Sequence, residues 1–121
     1  MNDQHTLSGL IAFYPTSDLE RTRSFYTQLL PFQLINDQGT CLIFEVPGGG
    51  HLGFCRHMPC LDHPERVFIT WVTEDVDFWY ERLRSEGVTV IKKPEVNQRF
   101  MIYQALFQDC HGYTLEIQRF L

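Results

Sequence analysis

One pattern occurs twice in this chain, and it limits the fold more than any other feature. Residues 10–30, LIAFYPTSDLERTRSFYTQLL, read as a short apolar strand, a capped turn and an amphipathic helix. Residues 67–87, VFITWVTEDVDFWYERLRSEG, give the same three elements in the same order. A duplicated half-size unit points to a pseudo-symmetric arrangement with a binding cavity formed by its parts. At 121 residues, 44% of them hydrophobic and 14% aromatic, the chain fits one domain with a substantial core.

The first helix has a start signal in Ser17-Asp18-Leu19-Glu20, which fits the S-x-x-E capping box with Ser17 as the cap. Leu19, Phe25, Tyr26, Leu29 and Leu30 then share one helical face, and Pro31 ends the helix. In the second copy Val76, Trp79, Tyr80 and Leu83 form the apolar stripe, and Gly87 stands just past the end as a left-handed cap. After the first helix come three expected strands, at 33–36, 41–46 and 51–57. After the second, strands are expected at 88–91, 102–108 and 114–119. Module one therefore spans about residues 7–57, module two about 67–121, and residues 58–66, with Pro59 and Pro64, link them. Gly48-Gly49-Gly50 joins two strands and lacks the helix and Lys of a phosphate-binding loop, so it reads as a hairpin turn.

Fifteen acidic against ten basic residues give a net charge of −5, which disfavours a nucleic-acid partner and suits a cationic small molecule. No apolar run is long enough to span a bilayer, and MNDQHTLSG has neither the basic nor the apolar region of a signal peptide. These features are those expected of a cytoplasmic protein with no membrane partner. Cys41, Cys55, Cys60 and Cys110 are irregularly spaced with no CxxC pair, so four free thiols are expected. The spacing of Cys60 and His63 can chelate, but no second pair follows at zinc-finger distance, so residues 55–63 read as a surface connection. His111, in the turn Asp109-Cys110-His111-Gly112, reads as a solvated turn residue.

Three segments in register, Asp18 to Leu30, Asp75 to Gly87 and Asp109 to Ile117, carry a resemblance to the vicinal oxygen chelate superfamily. That group includes glyoxalase I, extradiol dioxygenases, and fosfomycin- and bleomycin-resistance proteins. The resemblance implies an α+β fold in which two tandem βαβββ modules, within a single domain over residues 1–121, form a cup-shaped mixed eight-stranded sheet with helices on the outer face. It also implies four metal-ligand positions in the metal-dependent members. Counted from the helices, these fall on Ile11, on or near Gly53, on Phe68 and on Glu116, and only Glu116 has a side chain that ligates.

The strand beginning at His51 offers other donors, since alternate residues put His51, Gly53, Cys55 and His57 on one face. At roughly 3.3 Å per residue, His51 lies about 13 Å from Cys55 and about 20 Å from His57, so these pairs cannot share an ion. No metal and no other cofactor is therefore expected. The candidate ligand-binding residues are Phe13, His51, Cys55, Thr70 and Glu116; Phe44, Tyr103 and Phe107 have no face assigned from sequence. Aromatic faces with one acid suit a planar or cationic compound. The resemblance is nearest to the metal-independent, bleomycin-resistance-like branch, which implies a small-molecule binding protein and a homodimer. The alternative is a glyoxalase-like lyase, isomerase or dioxygenase with rearranged ligands, or a metal-free enzyme using Glu116 or His51 as base.

Overall fold

A computed structural model describes residues 5–121, in two compact units that meet in sequence at Pro59 and Cys60. The first unit contains β1 (Ile11–Pro15), α1 (Leu19–Ser24) continued by a π-helical turn (Phe25–Leu29), β2 (Gln33–Asp37), β3 (Cys41–Glu45) and β4 (His51–Cys55). A 3-10 turn at Pro64–Arg66 leads into the second, with β5 (Phe68–Val72), α2 (Val76–Ser85), β6 (Val90–Asn97), β7 (Ile102–Gln108) and β8 (Thr114–Phe120). The βαβββ order is thus repeated. The eight strands form two four-stranded sheets, ordered β1-β4-β3-β2 and β5-β8-β7-β6. In each, the first strand runs parallel to the last and the remaining pairs are antiparallel. No helix among the described residues is long and apolar enough to cross a membrane.

The helix ends show where local signals decide. Asp18, rather than Ser17, caps α1: its Oδ1 accepts the Arg21 N–H at 3.0 Å. A carboxylate at this position satisfies the third helical donor and favours the positive helix end, so the start moves one residue along from the expected box. Gly87 ends α2 as expected, at φ 84°. Its N–H reaches Arg84 O at 3.1 Å and the Val88 N–H reaches Leu83 O at 3.0 Å, the bond pair of a Schellman cap. The strand expected at 88–91 runs on to Asn97 through Pro94, with register shifts at Val90/Lys92 and Lys92/Glu95. Proline is tolerated because β6 is the sheet's edge, where one side of the strand makes no ladder bonds.

Side-chain alternation sorts each sheet into two faces. In the first unit Tyr26, fully buried, stacks on Phe54 at 4.9 Å and on Phe32 at 5.5 Å, with Phe44 5.9 Å away, so the helix covers an aromatic core. In the second, Leu83 and Val76 of α2 are buried together with Leu115, Ile117 and Phe107, and Tyr80 packs on Phe107 at 5.7 Å. Tyr103 joins this face to the first turn of α2 by donating its hydroxyl to Asp77 Oδ1 at 2.5 Å. Phe44, Tyr103 and Phe107 accordingly belong to the helix-covered faces.

The bond to Asp77, followed by partial burial, raises the Tyr103 phenol above its ordinary value of 10.0. The neutral phenol is the favoured form in the folded state. The bond's stabilisation is therefore complete below the unfolded value and is lost as pH rises through the higher folded one. Urea melts taken from below to above pH 10.0 should show this alkaline decline in the parent, and a shallower one in Tyr103→Phe. Identical slopes would mean the bond is not made in solution.

Candidate binding groove on the second sheet

The face of the second sheet opposite α2 carries Phe68 and Thr70 from β5, Glu116, Gln118 and Phe120 from β8, and Ile102, Gln104 and Leu106 from β7. Parallel pairing sets Thr70 beside Glu116, and the β7–β8 hairpin sets Leu106 opposite Glu116 and Gln104 opposite Gln118. The hairpin register is fixed by its turn. Asp109, buried, accepts from the backbone N–H groups of His111, Gly112 and Tyr113, each at 2.9 Å, and Gly112 takes φ 106°. His111 packs against the Tyr113 ring at 5.3 Å.

Apart from Thr70, the side chains of this face, with Lys92, Asn97 and Phe100, line a groove of about 640 Å³. Its polar groups other than Gln118 form one connected set, which Thr70 joins from the same face. The Thr70 hydroxyl donates to Glu116 Oε1 at 2.8 Å, and the Gln104 amide nitrogen donates to Glu116 Oε2. Gln104 Oε1 in turn accepts from Asn97 Nδ2 at 2.8 Å and Lys92 Nζ at 3.5 Å. Lys92 is already paired with Glu95 at 2.9 Å. Both donors to Glu116 are uncharged, and among the described residues no cation pairs with it. Gln104 is nearly inaccessible, at 5% exposure, whereas Phe68, Phe100 and Phe120 remain 53%, 62% and 64% exposed. A fixed carboxylate thus lines the same groove as three largely exposed phenylalanines.

Of the five residues named from sequence, the structure pairs Thr70 with Glu116. Phe13, His51 and Cys55 share a face of the first sheet, the one opposite its aromatic core. The Phe13 ring lies over Gly53, where an added Cβ would come within 2.3 Å of it. His51 is 3.9 Å from Glu45. Cys55 is buried and disulfide-bonded to Cys41, which corrects the expectation of four free thiols. The two cysteines are direct partners in the β3–β4 ladder, with Cα atoms 4.1 Å apart, a proximity that sequence spacing does not reveal. Among the described residues, neither Cys60 nor Cys110 is in a disulfide. In the connection, His63 pairs with Glu65 at 3.1 Å and both are exposed. Gly48, Gly49 and Gly50 all have positive φ and close the β3–β4 hairpin, as expected.

Gln104, Asn97 and Lys92 were missed by sequence reasoning. Gln104 was within reach of it, since counting back from the Asp109 turn pairs Gln108 with Thr114 and so puts Gln104 on the Glu116 face. Asn97 and Lys92 depend on the bulges of β6 and had no such signal.

A sequence profile of the Glyoxalase/Bleomycin resistance protein/Dioxygenase superfamily matches residues 5–117. The chain belongs to this superfamily. Solved structures agree. TioX from Micromonospora sp. ML1 superposes with a TM-score of 0.79 at 18% identity, over 94% of this chain and 99% of that one. A glyoxalase/bleomycin resistance protein/dioxygenase from Nocardioides gives 0.78 at 22%, over 97% and 85%. A glyoxalase/bleomycin resistance protein from Streptomyces sp. CB03234 gives 0.74 at 28%, over 91% and 98%. No curated protein matches the chain by sequence.

The donor set at the superfamily's metal positions does not fit a divalent ion. Register confirms that Gly53 occupies in the first sheet the place Glu116 holds in the second: Gly53 pairs with Phe13 and Ile43, as Glu116 pairs with Thr70 and Leu106. Gly53 has no side chain and is covered by Phe13, and Ile11 and Phe68 are hydrocarbon. One carboxylate does not supply the roughly three protein ligands such ions take.

Proposed function

We propose that this protein is a metal-independent small-molecule binding protein of the bleomycin-resistance type, acting in the cytoplasm. It holds a partly aromatic or cationic compound in the groove of the second sheet. The observation that carries this reading is the Glu116 carboxylate, fixed by Thr70 and Gln104 yet without a cation partner among the described residues, in a groove it shares with three exposed phenyl rings. A planar cation would meet a charge partner at Glu116 and stacking or cation–π surfaces above it. The groove volume of about 640 Å³ lies within the range of small-molecule sites. The acidic balance of the chain favours the same ligand charge.

The test is a thermal-shift panel of planar aromatic cations beside neutral aromatic compounds of matching shape, since a ligand that binds only the folded state raises its stability. The cations should stabilise the parent protein. In Glu116→Gln their affinity should fall by about 1–3 kcal/mol, while that of the neutral compounds changes little. Equal loss for both sets would deny Glu116 its role as the charge partner.

A further inference from the structure

A second cluster lies outside the groove, at the open end of the β3–β4 hairpin. The Cys41 and Cys55 side chains share one face, and the Cys41 Sγ is 3.6 Å from His57 Nδ1. The three ligand atoms all lie within 4.8 Å of one another. The backbone holds them there. Beyond the strand ends the Arg56 N–H still donates to Thr40 O at 2.8 Å, and Thr16 N–H donates to Cys55 O at 2.9 Å from the other side. His57 therefore extends from ordered chain, and it is exposed while both cysteines are buried.

We propose that Cys41, Cys55 and His57 form a redox-gated site for one thiophilic divalent cation of the zinc class. The proposal stands independently of the groove. In the oxidised chain the two sulfurs are joined as a disulfide and offer no thiolate. A dithiol reductant breaks the S–S bond, taking up its oxidising equivalents as its own disulfide and leaving two thiols on the protein. A divalent cation then replaces the two thiol protons, which leave to solvent, and neutral His57 gives the Nδ1 lone pair. Zinc–sulfur bonds of about 2.3 Å and zinc–nitrogen bonds of about 2.0–2.1 Å at tetrahedral angles put S and N about 3.6 Å apart. The Cys41–His57 separation already has that length. Two thiolates and an imidazole suit zinc over the harder magnesium and calcium. Water completes the fourth position on the exposed His57 side.

The test uses untagged full-length chain, reduced under anaerobic conditions and titrated with Co²⁺ as a spectroscopic probe, then with Zn²⁺. The expected result is thiolate-to-cobalt charge-transfer absorption that saturates at one ion per chain, is displaced by Zn²⁺, and is absent from the disulfide form. Cys41→Ser and Cys55→Ser should each abolish it, and a Cys60→Ser/Cys110→Ser double variant should retain it. His57→Gln removes an exposed side chain, so it carries the test even if a buried-cysteine variant fails to fold. It should weaken binding at least about tenfold, since losing even an outer-shell partner costs that much. No charge-transfer band in the reduced protein, a band that survives Cys41→Ser, or undiminished affinity in His57→Gln would each overturn the proposal.

Discussion

Phe54→Ala is expected to destabilise the first unit by about 3–5 kcal/mol, the usual cost of truncating a buried phenylalanine. Phe54 is fully buried in β4 and meets Tyr26 at 4.9 Å, Phe44 at 6.1 Å and Tyr14 at 6.3 Å. Its removal empties the middle of an aromatic cluster whose other members belong to a strand ladder and a helix, so they cannot readily close the space. The lost ring pairs add to the cavity cost. Both tryptophans, Trp71 and Trp79, lie in the second unit, so urea unfolding followed by far-ultraviolet circular dichroism is the suitable readout. The midpoint should fall with little change in slope. A loss below about 1 kcal/mol would mean that the cluster is not the organising core of this unit.

Asp109→Ala is expected to cost about 3 kcal/mol. One buried carboxylate oxygen accepts three backbone N–H groups, from His111, Gly112 and Tyr113. Bonds to a charged acceptor are each worth about 1.5–3 kcal/mol, and donors left without a partner carry their own desolvation cost. The alanine variant loses all three together, partly offset by water reaching the turn. Because this turn sets the β7–β8 register, the same variant should also weaken binding in the groove. Asp109→Asn retains an acceptor oxygen and should recover part of the stability. If alanine and asparagine variants melt with the parent, the turn is held by Gly112 and the strands alone.

The fold was legible because its determinants are local and repeated. The strand–helix pattern at 10–30 and 67–87, the Gly87 cap and the glycine turn at 48–50 are each decided by neighbours in sequence, and the structure contains all of them. Ser17 was displaced as the cap because Asp18, one residue on, offers an equally good acceptor. The strand expected at 88–91 stopped short of Asn97, and β6 can run on through Pro94 because a proline is excluded from a central strand but not from an edge. Non-local pairing was harder to read. Thr70 and Glu116 emerged because both follow from strand alternation, whereas the Cys41–Cys55 partnership and the place of Gln104 require the exact hairpin registers. The bulges of β6 hid Asn97 and Lys92 altogether.

The central claim is that the second sheet's groove binds a planar, cationic compound against Glu116. It is tested most directly by an NMR titration of isotopically labelled protein with the strongest stabiliser from the thermal-shift panel. Saturable shifts are expected at the amides of Phe68, Thr70, Gln104, Glu116 and Phe120, and Glu116→Gln should require higher ligand concentrations for the same shifts. No saturable shift with any member of the panel, or shifts confined to residues outside the groove, would contradict it.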